Sequence, residues 1–170
     1  MLTSSGVVNG ELLDAFKCET KENGVEKSLP LSWSGVPSST KSLAIIMHHY
    51  PNAPDVTIPN AYLILWAIDP SVIEIPYGAA DDGPWYMGPN KDGNTVSYTS
   101  PCSQNAGTKE YTITVYALDQ TPASLPASSS VDVTYSVLTE ALSTVNIIDT
   151  AVLTFNDVNT GKNKLRLVLE

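Results

Sequence analysis

The stretch from Ser42 to Pro54, "SLAIIMHHYPNAP", decides the fold class. It is an apolar run rich in β-branched residues, closed by His48, His49 and Tyr50 and a Pro-Asn-Ala-Pro turn, and it reads as a strand running into a loop. Three further segments share its character: "AYLILWAI" (61–68), "EYTITVYAL" (110–118) and "TAVLTFNDV" (150–158), each bounded by Pro, Gly, Asn or Asp. The first two strands are apolar at odd and even positions alike. Both of their faces must therefore be covered, which places them centrally between two layers. The third alternates, with Tyr111, Ile113, Val115 and Ala117 opposite Thr112, Thr114 and Tyr116, so one of its sides is expected to be wetter. The spacing of Val137, Leu138, Ala141, Leu142 and Val145 predicts one amphipathic helix within 132–146, with Asp132 or Thr134 as its N-cap. The expected class is mainly β with this one main helix, and "TPASLPASSS" (121–130) is a Pro/Ser loop leading into it.

Composition sets the outer limits. With 170 residues, 42% of them hydrophobic, the chain can build one domain around a real core and is too short for two. Acidic residues outnumber basic ones 18 to 9, and the single arginine, Arg166, lies near the end. A nucleic-acid groove or an anionic membrane surface needs clustered Lys and Arg, so neither partner is expected. No apolar run approaches the roughly 20 residues of a membrane span, and no signal peptide is visible. The opening "MLTSSG" reads as a start placed where a leader was removed, and the closing Leu169-Glu170 as an added pair.

Chemistry-bearing motifs are sparse. The chain has no nucleophile elbow, zincin helix, phosphate loop or dinucleotide fingerprint. His48 and His49 are neighbours on a strand and point to opposite faces, so they cannot both hold one metal, and no metal or cofactor is expected. The acidic turns "ADDG" and "NKDG" fit no EF-hand spacing and read as solvated turns. Cys18 and Cys102 stand in no C-x-x-C or metal spacing. From spacing alone, two buried thiols and one disulfide in an exported protein are equally good readings.

The order of segments then becomes informative. "LPLSWSGVPSSTKSLAIIM" resembles the S-P-P-L-S-W-S-G-V-P … T-K-S-L-A-L block of the phosphatidylethanolamine-binding protein family, in its bacterial Raf-kinase-inhibitor-like branch. "PNAP" looks like a remnant of that family's D-P-D-A-P, "AYLILWAIDP" takes the place of its H-W-V-V-Y-N-I-P strand, and "SYTSPCSQNAGTKEYTITVYALD" resembles G-Y-G-G-P-C-P-P-x-G-x-H-R-Y-x-F-T-V-Y-A-L-D. The resemblance runs from about residue 6 to 155. It implies a single domain (core about 6–158, tail 159–170) in which a large antiparallel sheet packs on a smaller one. It also implies a disulfide between Cys18 and Cys102, a secreted or periplasmic location, and a small anion pocket at one end of the sheet.

Carried over position by position, that pocket is rewritten. The family's first aspartate falls on His49 or, counting back from the turn, on Tyr50; the second falls on Asn52. The histidine of the H-W strand falls on Leu63 and the H-R pair on Lys109 and Glu110, while Pro101 and Tyr111 are kept. His49 is the preferred match, because an extra residue is absorbed more easily in a turn than in a central strand. The expected cavity is lined by His49, Asn52, Leu63 and Tyr111, with His48 facing away. Trp85 and Tyr86, in "GPWYMGPN", are expected as a lid, as a partner patch, or as a loop tucked onto its own core. Such a site favours a small, neutral or partly apolar ligand held without catalysis. Two alternatives stand beside this: a protein-binding module of the kinase- or protease-inhibitor kind, and an isomerase- or cyclase-type enzyme using His49 with Tyr50 or Tyr111 as an acid/base pair.

Overall fold

The computed structural model describes residues 1–51 and 55–161. In chain order its elements are β1 (Leu2–Thr3), β2 (Val7–Val8), β3 (Glu11–Leu12), β4 (Leu31–Trp33), β5 (Ser42–His49), β6 (Asn60–Ile68), β7 (Glu74–Ile75), β8 (Tyr86–Met87), β9 (Gly107–Leu118), α1 (Tyr135–Leu142) and β10 (Ile147–Asn159). They form a seven-stranded sheet in the order β2-β3-β10-β9-β5-β6-β8 and a three-stranded sheet in the order β1-β4-β7. All pairings are antiparallel except the short β3–β10 contact. This is the expected two-sheet, mainly β class.

The sequence pattern explains why β5 and β6 are central. Leu43, Ile45, Met47, Leu63 and Leu65 join Trp33, Ile113 and Val115 in a core between the two sheets. Ala44, Ile46, Ile64 and Trp66 point the other way, under Val133, Leu138 and Leu142. A strand residue fully buried this way is worth roughly 1.5–3 kcal/mol in removed apolar area, which a strand with one wet face would forgo at every second position. β9 alternates less sharply than its sequence suggests. Thr112 and Tyr116 are half-buried, but Thr114 is buried beside Ile46, its register partner on β5.

The helix is shorter than the 132–146 window. It begins where Thr134 Oγ1 accepts the Val137 N–H at 3.3 Å, so Thr134 and not Asp132 is the cap. It ends at Leu142, where Ser143 and Thr144 back-bond to the last carbonyls and Val145 leaves the helix while still touching the core.

Candidate functional site

The His49 end of the large sheet is built by register. β5 runs antiparallel to β9 with His48 opposite Thr112, which brings His49 beside Tyr111. The two rings stack with centroids 4.9 Å apart and planes 23° from parallel. On the far side Tyr111 stacks on Phe155 at 5.6 Å and 9°, because β10 places Phe155 directly opposite it. Tyr62 closes the edge, T-shaped against Tyr111 at 5.0 Å. The result is a buried ladder of three rings with a fourth across it, each offset or edge-on contact contributing about 0.5–1.5 kcal/mol beyond its area. Burial, with the Tyr62 hydroxyl next in weight, pushes the Tyr111 phenol far above its ordinary range. Tyr111 is therefore a neutral hydroxyl at any physiological pH.

One hydrogen bond fixes the chemistry of His49. Its Nδ1 lies 2.7 Å from the Glu110 carbonyl oxygen, and a carbonyl only accepts, so Nδ1 carries the proton. In the neutral imidazole, Nε2 is then an acceptor, with no hydrogen-bond partner among the described residues. His48, one residue earlier, faces the helix side. Its ring meets the edge of Tyr50 at 5.5 Å and tilts against Tyr135 at 5.8 Å, and its Nδ1 is buried with no partner among the described residues. Burial first, and the charge of His49 second, lower its pKa below the usual imidazole value. The phenols of Tyr116 and Tyr135 on this side are both raised, chiefly by burial, that of Tyr135 to about 12. A small cleft of about 140 Å³, lined by His48, His49, Tyr50, Glu110 and Thr112, opens at this end of the sheet; it differs from the expected cavity in taking in His48, expected to face away, and in excluding Tyr111 and Leu63, whose side chains are buried in the core.

The remaining expected residues are scattered around this end. Tyr50 is 46% exposed at the rim. Pro101 is buried, and its carbonyl accepts the Cys18 N–H at 3.0 Å. Lys109 is half-buried on the same face as Tyr111, opposite Asp157 in register. Leu63 is core, opposite Met47, and the side chain that meets Tyr111 from β6 belongs to Tyr62. Asn52 lies outside the described residues. Trp85 and Tyr86 pack onto the core away from this end. Trp85 donates to the Ala80 carbonyl at 2.8 Å, and Tyr86 sits in β8 against Trp66. Gly83 is needed for that arrangement, since a Cβ there would collide with the Trp85 ring.

Sequence reasoning missed three groups. Tyr62 and Phe155 carried a signal in their strand patterns, but only register could place them against Tyr111. Asp157 is 1% exposed and fully partnered: Lys17 Nζ at 3.3 Å, Ser103 Oγ at 2.8 Å and the Ser103 N–H at 3.2 Å. Asp81, expected in a solvated turn, is half-buried at the wall of an acidic cavity with Glu22, Glu26 and Asp82. Its Oδ1 accepts the Tyr98 N–H at 3.3 Å and its Oδ2 has no partner among the described residues. Burial, reinforced by the neighbouring carboxylates, pushes its pKa up to about 6. Cys18 and Cys102 form a disulfide across 84 residues of chain, resolving the two readings their spacing left open. The bridge anchors the loop that presents Pro101. No helix of the described residues is long and apolar enough to cross a membrane.

Comparison with known proteins agrees with this architecture. The solved structure of a phosphatidylethanolamine-binding protein homologue from Chlamydia trachomatis superposes with a TM-score of 0.74 at 28% identity, over 93% of this chain and 96% of that one. The structure of E. coli YbcL, described as a member of the mammalian family, superposes at 0.72 and 22% identity over 94% and 98%, and shows a shared fold. A UPF0098 protein of Methanothermobacter thermautotrophicus is 31% identical over 127 residues, 73% of this chain and 79% of its own length. The family model described as phosphatidylethanolamine-binding protein matches residues 3–158, and with the two-sheet fold already in view, the chain belongs to the phosphatidylethanolamine-binding protein family.

Proposed function

We propose that the protein binds a small, neutral or partly apolar ligand, without catalysis, at the His49 end of the large sheet. The observation that carries this reading is the cleft of about 140 Å³ lined by His48, His49, Tyr50, Glu110 and Thr112, in which His49 caps the buried ladder of Tyr111 and Phe155. An anion cradle requires converging donors and positive charge. The cleft at this end offers instead the rings of His48, His49 and Tyr50, the exposed Glu110 and, once His49 Nδ1 is committed to the Glu110 carbonyl, an imidazole acceptor. A ligand hydroxyl donating to Nε2 with an apolar body against the rings matches that chemistry. The disulfide supports an oxidising compartment such as the periplasm or the extracellular space.

Calorimetric titration tests the reading with inorganic phosphate, phosphoethanolamine and benzyl alcohol as probes. The expected result is that both phosphates bind more weakly than about 1 mM, worth less than about 4 kcal/mol. Benzyl alcohol should raise the melting temperature in the native protein and not in His49→Ala. Sub-millimolar phosphate binding would overturn the reading, as would turnover of the alcohol that depends on His49.

A further inference from the structure

β10, the longest strand among the described residues, has two very unequal neighbours. On one side β9 pairs with it from Ile147 to Asn159, and on the other β3 meets it at Asn156 alone. The Asn156 N–H donates to the Gly10 carbonyl at 2.8 Å and therefore points away from β9. The register runs without a bulge from Asp149 to Asn159, so by alternation Thr150, Val152 and Thr154 turn their N–H and C=O groups the same way. The Thr150 N–H is held by the preceding side chain, at 2.8 Å from Asp149 Oδ1. The Thr150 carbonyl and both backbone groups of Val152 and Thr154 have no partner among the described residues. All three residues are exposed, Val152 at 55%, while Ala151, Leu153 and Phe155 hold the strand on the core. Edge strands are ordinarily guarded by Lys, Pro or a bulge, and residues 150–154 contain none of these.

We propose that this edge takes a further strand: an extended peptide with an apolar centre and basic ends, added beside β10 through main-chain hydrogen bonds. The charge of the occupant follows from what flanks the edge. Exposed Asp149 stands at one end and exposed Glu11, opposite Asn156, at the other, with no Lys or Arg on β3 or β10. The two carboxylates are separated by about seven strand residues, roughly 23 Å, which a peptide of six or seven residues spans. A peptide carbonyl takes the Thr150 N–H from Asp149, and that carboxylate is then free to pair with the peptide's cation. On the exposed face the peptide's apolar side chain lies against Val152 between two threonines, a cross-strand contact that suits Val or Ile. A second copy of this chain fits less well, because it brings the same two carboxylates and a net charge of −9 to the same edge.

The test is an NMR titration of the 15N-labelled protein with the peptide acetyl-Lys-Val-Thr-Val-Thr-Lys-amide, with Glu in place of both Lys as the control. In the free protein the Val152 and Thr154 amides should exchange with deuterium at least about tenfold faster than those of Ala151 and Leu153, which face β9. The basic peptide should shift the Thr150, Val152 and Thr154 amides saturably and slow the exchange of the last two. The acidic control should bind at least about fivefold more weakly, and Asp149→Asn should narrow that gap. Two isomers of the basic peptide, N-methylated on alternate residues, separate main-chain pairing from charge attraction. One should bind as the parent does and the other at least about tenfold more weakly, because only one row of peptide N–H groups faces β10. The proposal is overturned if these amides do not respond to roughly 5 mM peptide, or if the two methylated isomers bind alike. It is equally overturned if Val152 and Thr154 exchange as slowly as their neighbours in the free protein. Movement of the same amides on simple dilution of the protein also overturns it, since a second copy then holds the edge.

Discussion

His48 and His49 are adjacent on one strand and live in different chemistry. His49 is 7% exposed, stacked on Tyr111 and hydrogen-bonded to Glu110. His48 is half-buried against Tyr50 and Tyr135 with its Nδ1 unpaired among the described residues. The more buried ring is the better satisfied one, and burial is the first cause of the lowered pKa of His48. The His49 face is also tied down from outside, by the loop that the Cys18–Cys102 bridge anchors.

The largest effect expected from dissecting this contrast lies at that anchor. Closing an 84-residue loop is worth about 4 kcal/mol in the chain-entropy model. Cys18→Ser with Cys102→Ser should lower urea-unfolding stability by most of that amount and weaken benzyl alcohol binding at the His49 end. Unchanged stability would show that the loop holds itself. Next, His49→Ala removes a stack and a hydrogen bond and should cost about 2 kcal/mol. His48→Ala should cost less, about 1 kcal/mol, since two ring contacts go but no hydrogen bond is lost. Equal losses from the two substitutions, measured by the same denaturant curves, would break the comparison.

Asp81 sharpens it at a second place. Its folded-state pKa lies above the ordinary 3.8, at about 6, so the folded protein binds the extra proton and stability falls as pH rises through that window. Asp81→Asn keeps the acceptor for Tyr98 N–H and removes the charge. It should stabilise the protein by about 1 kcal/mol at pH 8, after allowing for partial solvent screening, and change little at pH 4. A destabilised variant at pH 8 would show that the carboxylate is partnered after all. The smallest effect belongs to His48. Its depressed pKa means that the unfolded chain takes up a proton first, so stability should decline as pH drops below about 6.5, and His48→Gln should flatten that part of the melting-temperature profile. A profile identical in the two proteins would place the titration elsewhere.

The sequence by itself determined the central strands and the mainly β class. Each depends on period-two alternation within one segment, and that pattern survives whatever packs against it. It also marked the helix, though not its ends, because Thr134 and Asp132 are equally good caps until the chain's approach to the sheet selects one. Tertiary structure alone decided which rings meet. Tyr62 reaches Tyr111 because β5 and β6 shift register between Met47 and His48, and Phe155 reaches it because β10 pairs residue for residue with β9. It likewise decided that Asp81 is walled in and Asp157 paired, and that, of three indoles, that of Trp33 has no partner among the described residues. These are contacts between segments far apart in sequence, and the free energy of a buried polar group depends on the partner that folding delivers, which no local pattern encodes.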